Sequence, residues 1–390
     1  MPTDVFRRLD AVPPLTGEEK QVLDSVANLA RGPFMQRAAA YDESGEFPHE
    51  NVKALAELGL NGIFLPQRLG GAELSYAAYL ACVREISAAC ASTGVIWATN
   101  FHAIKPLLEY GTPEQQQRLT APILVGGLAA LVITEPAAGS DATGMTTRFT
   151  PEGDSVIVDG GKTFITNGGM ADMYLVFGKW KPLGNGKEAI TALYVPKELP
   201  GFSAGKPEKK LGHRASATTP LTFDGVRVPR ANVLGAPGQG LKLLLASLNL
   251  SRPSVAAHAL GIARAAFTDA VAYVNERRQG GRRIVENQGV QFMLADLAAE
   301  LAQAEAWLWH VARLVDSGER DIGVESSMLK LRATDLAMRI ATDAVQLHGG
   351  YGYIKEYRVE RLFRDAKITQ IWEGTNQIHR GVIGRSFVRK

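Results

Sequence analysis

The sequence predicts a mainly α protein with a β domain set into its middle. Three observations carry that prediction. Apolar residues recur at helical spacing through the first third of the 390-residue chain, and again from about Gly238 to the end. Between these regions lie short stretches rich in β-branched residues and punctuated by Gly, Pro and Asp, the pattern of antiparallel strands and turns. At 390 residues, 46% of them hydrophobic, the chain exceeds one ordinary core, so two or three packed domains are expected. The boundaries are placed at 1–124 (helical), 125–235 (β) and 236–390 (helical).

In chain order, TGEEKQVLDSVANLARGPFMQRAAAYDESGEF opens on Thr16 followed by glutamates, a helix cap. NVKALAELGL, YAAYLACVREISAACASTGVIWATNF, HAIKPLLEYG and TPEQQQRLTAPILVGG continue as helices. The texture changes near Ala129, where LAALVITEP, GDSVIVDGGKTFITNGG, ADMYLVFGKW, EAITALYVP and TTPLTFDGVRVP read as strands. Three long amphipathic helices then follow: LKLLLASLNLSRPSVAAHALGIARAAFTDAVAYVNERR, QFMLADLAAELAQAEAWLWHVARLVDSG and SSMLKLRATDLAMRIATDAVQLHG. No internal repeat or low-complexity tract is visible.

The bulk numbers narrow the function. A net charge of +3 provides no basic field for nucleic acid. No run reaches the roughly 18 apolar residues of a membrane span. MPTDVFRRLDAVPPL carries no apolar signal core, so a cytoplasmic protein is expected. Cys82 and Cys90 lie in one apolar segment and are expected to be reduced core residues, with no spacing that reads as a metal site.

Several glycine-bearing stretches invite chemistry. GAPGQG (235–240) and LHGGYGY (347–353) look like nucleotide loops, but neither follows a buried parallel strand in a βαβ unit. The first reads as a turn from the β block into a helix. The second breaks a long helix after His348; its glycines suit either a phosphate approach or a helix cap. ITEPAAGSDATG (133–144) offers the hydroxyls of Thr134 and Ser140 and a turn of backbone N–H groups. It suits the polar edge of a flat heteroaromatic ring, or is an ordinary Pro/Gly loop. KTFITNGG (162–169) adds an aromatic, Phe164, and a hydroxyl, Thr166, as a stacked ring would need. In IWEGTNQIH (371–379), Glu373 is either a solvated loop residue or a desolvated general base.

Together these stretches resemble the acyl-CoA dehydrogenase family. ITEPAAGSD, DGGKTFITNGG, LGHRASATTPLTFDGVRVP, RPSVAAHALGIA, QFMLADLA, QLHGGYGYIKEYRVERLFRDAKI and IWEGTNQIHR occur in family order across almost the whole chain. The resemblance implies an N-terminal helical domain, a central β-barrel-like domain and a C-terminal four-helix bundle. It implies FAD held between the β domain and the bundle. It also implies a homotetramer, a dimer of dimers, in which a neighbour completes each FAD site.

By the same resemblance, Leu131, Ile133, Thr134 and Ser140 line the flavin ring, with Ser140 also near the thioester. Phe164, where many relatives carry Trp, and Thr166 meet the flavin from the other strand. Arg277, Asn287 and Gln288 reach a neighbour's FAD. There RRQGG departs from the family's usual aromatic, because Gly280 stands in its place, which puts adenine packing in question. Gln346, Gly349 and Gly350 approach the partner's pyrophosphate, where bare N–H groups are needed. Thr375, Asn376 and Gln377 complete the flavin contacts, while Asn249, Arg252 and Gly374 fall on the substrate side. Arg252 also reads as a buried structural cation near the base loop.

Glu373 matches the family's base, which takes the α proton of an acyl-CoA thioester while hydride leaves the β carbon. An ordinary carboxylate, with a pKa near ~4.3, is a poor base for that proton. Drying by Trp372 and a bound acyl chain would strengthen it. Two hydrogen bonds to the thioester oxygen, from the backbone N–H at or after the base and from the FAD ribitol, would stabilise the enolate. The position that holds the base in one branch of the family is Ser251 here, which cannot serve. The expected activity is desaturation to a trans-2-enoyl-CoA, with electrons passed to an electron-transferring flavoprotein. Trp372 favours short or branched acyl groups. Alternatives are the same chemistry on a carrier-protein thioester, a flavin oxidase of the same fold, and a non-catalytic scaffold.

Overall fold

The computed structural model describes residues 13, 15–181 and 189–388. Helices α1 (Gly17–Leu29), α2 (Met35–Ser44), α3 (His49–Glu57), α4 (Tyr76–Ala89), α5 (Ala91–Tyr110) and α6 (Pro113–Leu124) come first. Thr16 closes the predicted cap: its hydroxyl accepts from the Glu19 N–H, and the Glu19 carboxylate accepts from the Thr16 N–H. After the sheet come α7 (Gly240–Glu276), α8 (Gln288–Asp316), α9 (Gly323–His348), α10 (Val359–Thr369) and α11 (Asn376–Ser386). α4 is buried along almost its whole length and packs on α7. The first and last helices therefore share one core, with Tyr79, Leu80 and Val83 beside Ala256, Leu260, Leu301 and Ile340. Cys82 and Cys90 are buried free thiols in that core.

Between the helical parts, strands β1 (Ala129–Val132), β2 (Arg148–Glu152), β3 (Ser155–Thr166), β4 (Met173–Trp180), β5 (Ala189–Pro196), β6 (Phe202–Ala204), β7 (Thr218–Pro229) and β8 (Val233–Leu234) form one sheet ordered β6-β7-β3-β2-β4-β5-β8. One point departs from the all-antiparallel expectation: β1 and β2 both pair parallel to β4. β1 takes Met173–Val176 and β2 takes Lys179–Trp180. The excursion through β2 and β3 separates β1 from β4 in sequence, as a parallel pairing requires. One sheet face closes over Val132, Phe149, Val158, Val176, Val195 and Phe223. The other face packs Leu175, Phe177 and Tyr194 on α5, α6 and α7 through Leu107, Ile123 and Leu243. β4 and β5 are thus covered on both sides, which explains their unbroken apolar runs.

GAPGQG is the turn from β8 into α7. α7 is long and apolar enough to cross a membrane by length and composition, but 78% of its most apolar stretch is buried inside the protein. Pro253 sits within it. Lacking an N–H, it frees the carbonyl of Asn249, which Ser326 of α9 satisfies through its hydroxyl at 2.7 Å.

Candidate active site

The loop between α10 and α11 carries Glu373 and Gly374 with φ of +52° and +92°. A glutamate in the left-handed region is strained, so the surroundings must hold it there. Thr375 caps α11, its hydroxyl accepting from Ile378 N–H at 3.4 Å. Lys330 of α9, fully buried, donates from Nζ to Gly374 O at 2.8 Å and to Asn376 Oδ1 at 3.0 Å. The Asn376 amide also donates to Thr334 Oγ1 at 2.9 Å and Asp335 Oδ1 at 2.7 Å. Burial lowers the Lys330 ammonium to about 7, against the opposing pull of Glu373. A Cβ on Gly374 would lie 3.3 Å from His379 Nε2, so the loop passes tightly there.

Glu373 itself is half-buried, and its Oε2 accepts from Ser251 Oγ at 2.6 Å. The carboxylate is thus only partly dried, short of the desolvation expected for a base. Arg252 is buried, donating to Asn249 Oδ1 at 3.3 Å and Ser327 Oγ at 3.4 Å, with Nε unpartnered. Burial lowers its pKa and Glu373 opposes the shift. Trp372 meets His213 and His258 edge-on, with ring centroids 5.0 and 5.6 Å away. These imidazoles join Nε2 to Nε2 at 2.7 Å, and Ser87 Oγ lies 2.7 Å from His258 Nδ1. Burial drives both rings towards neutrality, His258 to about 3. The His213 N–H donates to Asp365 Oδ1 at 2.5 Å, and burial raises that carboxyl to about 6.

On the β side, the turn after β1 is fixed by a buried ion pair. Glu135 Oε1 lies 2.9 Å from Lys162 Nζ, and the carboxylate also accepts from Thr146 N and Oγ1 (2.6 and 2.7 Å) and Thr147 N (3.0 Å). Burial alone would raise Glu135, but Lys162 and the threonines hold it at about 2. Lys162 donates to Ile133 O and Thr163 N–H to Thr134 O, both at 2.9 Å. Ile133 and Thr134 are thereby held against β3, Leu131 pairs with Leu175 of β4, and Ser140 lies exposed on the turn. The pairing of β3 with β7 slips between Lys162 and Ile165. At that bulge Phe164 adopts φ +57° and turns outward, 64% exposed. Thr166 pairs with Thr218, and the loop leading to Thr218 carries His213 to Trp372. The flavin edge expected on β3 and the base loop are therefore linked through one short loop.

The remaining residues gather elsewhere. Arg277, Gln346, Gly349 and Gly350 line a cavity of about 500 Å³ with Tyr273 and Tyr351. The Arg277 guanidinium lies 5.3 Å from the Tyr351 ring centroid. Gly349 has φ +59°, and a Cβ on either glycine would meet nothing within 4 Å. A guanidinium beside bare, open backbone fits a phosphate. Asn287 precedes α8 and accepts from Arg282 at 2.5 Å, with Gln288 exposed beside it. Gly280 and Gly281, with φ of +56° and +81°, form the two-residue turn of a small ribbon pairing Arg278–Gln279 with Arg282–Arg283. A type I′ turn demands positive φ at both central positions, which the two glycines supply without strain. Gln377 is exposed on the first turn of α11.

Sequence reasoning missed Lys330, the Glu135–Lys162 pair and the His213–His258 pair. The available signal was a charged or titratable residue at a position whose helical or strand period is otherwise apolar.

This architecture, with its carboxylate loop and phosphate-fitting cradle, is that of the FAD-dependent oxidoreductases acting on CH–CH bonds. Family models match the acyl-CoA dehydrogenase N-terminal domain over residues 16–127, the middle domain over 130–226 and the C-terminal domain over 238–388. A short-chain-specific acyl-CoA dehydrogenase of Clostridium acetobutylicum is 40% identical over 377 residues, covering 96% of this chain and 99% of that one. The structure of butyryl-CoA dehydrogenase from Megasphaera elsdenii superposes with a TM-score of 0.92 at 36% identity, covering 96% and 99%. A chain in the structure of the electron-transferring flavoprotein of Acidaminococcus fermentans gives 0.93 at 39% identity, with the same coverage. The chain belongs to the acyl-CoA dehydrogenase family.

Proposed function

We propose that this enzyme desaturates a short-chain acyl-CoA thioester to its trans-2-enoyl product, with Glu373 taking the α proton. The observation that carries the reading is the placement of Glu373: a lone carboxylate in a strained loop, fixed by Ser251 and by Lys330 behind Gly374, beside Trp372. Bound FAD supplies the acceptor for the hydride that leaves the β carbon. Leu131, Ile133, Thr134, Phe164 and Thr166 hold the flavin end of that cofactor, and the polar turn at Ser140 faces the thioester. Thr375 and Gln377, beside the base, complete the flavin wall; the Asn376 side chain acts through the loop anchor. The acyl chain excludes water from the half-buried carboxylate and so strengthens it as a base. Asn249 and Arg252 fix the helix wall behind the substrate.

Arg277, Gln346, Gly349 and Gly350 hold the phosphates of a neighbouring subunit's FAD, with Asn287 and Gln288 beside them. The geometry along α9 supports this: Lys330, at the base loop, and His348, at the cradle, are separated by about 27 Å at 1.5 Å per residue. That sharing requires at least a dimer, and the assembly proposed with it is a homotetramer, a dimer of dimers. The relatives named short-chain and butyryl-CoA support the substrate class, and the flavoprotein structure supports an electron-transferring flavoprotein as acceptor. The test is an anaerobic panel of acyl-CoA thioesters, following flavin absorbance. Bleaching fastest with short saturated chains is expected; no bleaching with any thioester overturns the reading.

A further inference from the structure

We propose that Ser251 is a positioning residue for the base: it occupies one carboxylate oxygen of Glu373 and presents the other to the acyl α carbon. The inference rests on the reading of Glu373 as the base. Ser251 is fully buried in α7. Its Oγ lies 2.6 Å from Glu373 Oε2 and 3.3 Å from Leu248 O, one turn back. A hydroxyl has a single proton, so it serves one of these acceptors at a time. A charge-assisted bond at the shorter distance wins while Glu373 is ionised.

The consequence is asymmetry between two otherwise equivalent oxygens. With Oε2 engaged, Oε1 is the oxygen left to receive a proton. When the α hydrogen moves from substrate carbon to Oε1, Oε2 becomes the carbonyl oxygen of a neutral acid and a weaker acceptor. The hydroxyl can then turn to Leu248 O without leaving its proton unpartnered. The serine proton stays on its oxygen throughout; one proton moves, from carbon to Glu373.

The other groups facing Glu373 act differently. Arg252 from α7, Lys330 from α9, His102 from α5 and Tyr79 from α4 interact with it through charge. His379 of α11 packs on Gly374 behind it. Among the described residues, Ser251 is the side chain hydrogen-bonded to the carboxylate. Lys330 is lowered by burial to about 7 and titrates nearby, so the readout must be assigned to Glu373 itself.

The experiment uses FAD-loaded wild type, S251A, S251T and E373Q. The infrared band of the protonated carboxyl, identified by its absence in E373Q, is titrated, and anaerobic flavin bleaching by butyryl-CoA is followed against pH. A bond to the charged form is lost in S251A, so the band midpoint and the acid limb of bleaching should both rise by about half to one pH unit. The plateau rate should fall about three- to tenfold from lost orientation, with KM unchanged. S251T, which keeps the hydroxyl, should restore both. S251C keeps the volume with a weak donor and reads the same band if the alanine variant holds FAD poorly. A midpoint at the wild-type value in S251A, or in S251C where S251A holds FAD poorly, overturns the proposal. If butyryl-CoA fails to bleach wild type, the functional reading fails, and the infrared arm still decides the Ser251–Glu373 bond.

Discussion

The two ends of α9 make opposite use of polar groups. At Lys330 a charge is fully buried, hydrogen-bonded to Gly374 O and Asn376, and walled by packed helices. At Gly349 the helix ends in the open: a Cβ added at Gly349 or Gly350 would meet nothing within 4 Å, and Tyr351 and Tyr353 are 45% and 86% exposed. The difference fits the chemistry proposed for each end. A proton acceptor has to be fixed in place and dried by its substrate. A phosphate site has to leave backbone N–H groups bare and reachable. One helix delivers both because it is long enough to keep them apart.

The largest expected effect breaks the buried end. E373Q should retain FAD and bind acyl-CoA, yet bleach the flavin about 10²–10⁴-fold more slowly in anaerobic stopped flow. Next comes K330M. It leaves Gly374 O without its donor and Asn376 Oδ1 with Thr334 alone, at about 1–3 kcal/mol for the unpartnered carbonyl, so the melting temperature and the bleaching rate should fall together. The same variant sharpens the comparison through pH. Burial lowers Lys330 from 10.5 to about 7, so the unfolded chain holds a proton that the folded chain releases. That stabilising contribution is present above 10.5 and lost as pH falls towards 7. Denaturant melts should therefore show wild type gaining on K330M as pH rises through that window.

The open end should answer differently. G349A places a side chain in the left-handed region and a Cβ in the cradle, at about 1–2 kcal/mol. FAD should bind about 5–30-fold more weakly by titration, while the bleaching rate per bound flavin stays at the wild-type value. Smallest is R277A, which removes an exposed-side cation over Tyr351. Its effect on FAD affinity should be several-fold at low salt and shrink as ionic strength rises. If G349A slows bleaching per flavin, or K330M leaves it untouched, the division between the ends fails.

Much of this was legible from the residues. The helix–strand–helix texture is a matter of periodicity, and periodicity is local. Glu373, Gly349 and Phe164 stand in motifs long enough to identify. What stayed hidden joins distant positions: Ser251 to Glu373 across 122 residues, His213 to His258 across 45, Lys162 to the carbonyl of Ile133 across 29. No local pattern announces such a pair, because each member looks like an isolated polar residue in an apolar stretch. The parallel pairing of β1 with β4 was hidden for the same reason. The glycine pair at 280–281, read from the sequence only as the loss of an aromatic, is the turn of a small ribbon.

The joined imidazoles of His213 and His258 have a consequence for how the molecule comes apart. One ring belongs to the strand block, the other to the long helix α7, and Ser87 brings in the first helical segment. A clamp reaching into all three segments leaves no seam along which one can detach and survive. Calorimetry should then trace a single melting peak, and that peak should move down progressively as pH falls from 6.5 towards 3, because the unfolded chain binds the protons that the buried rings refuse.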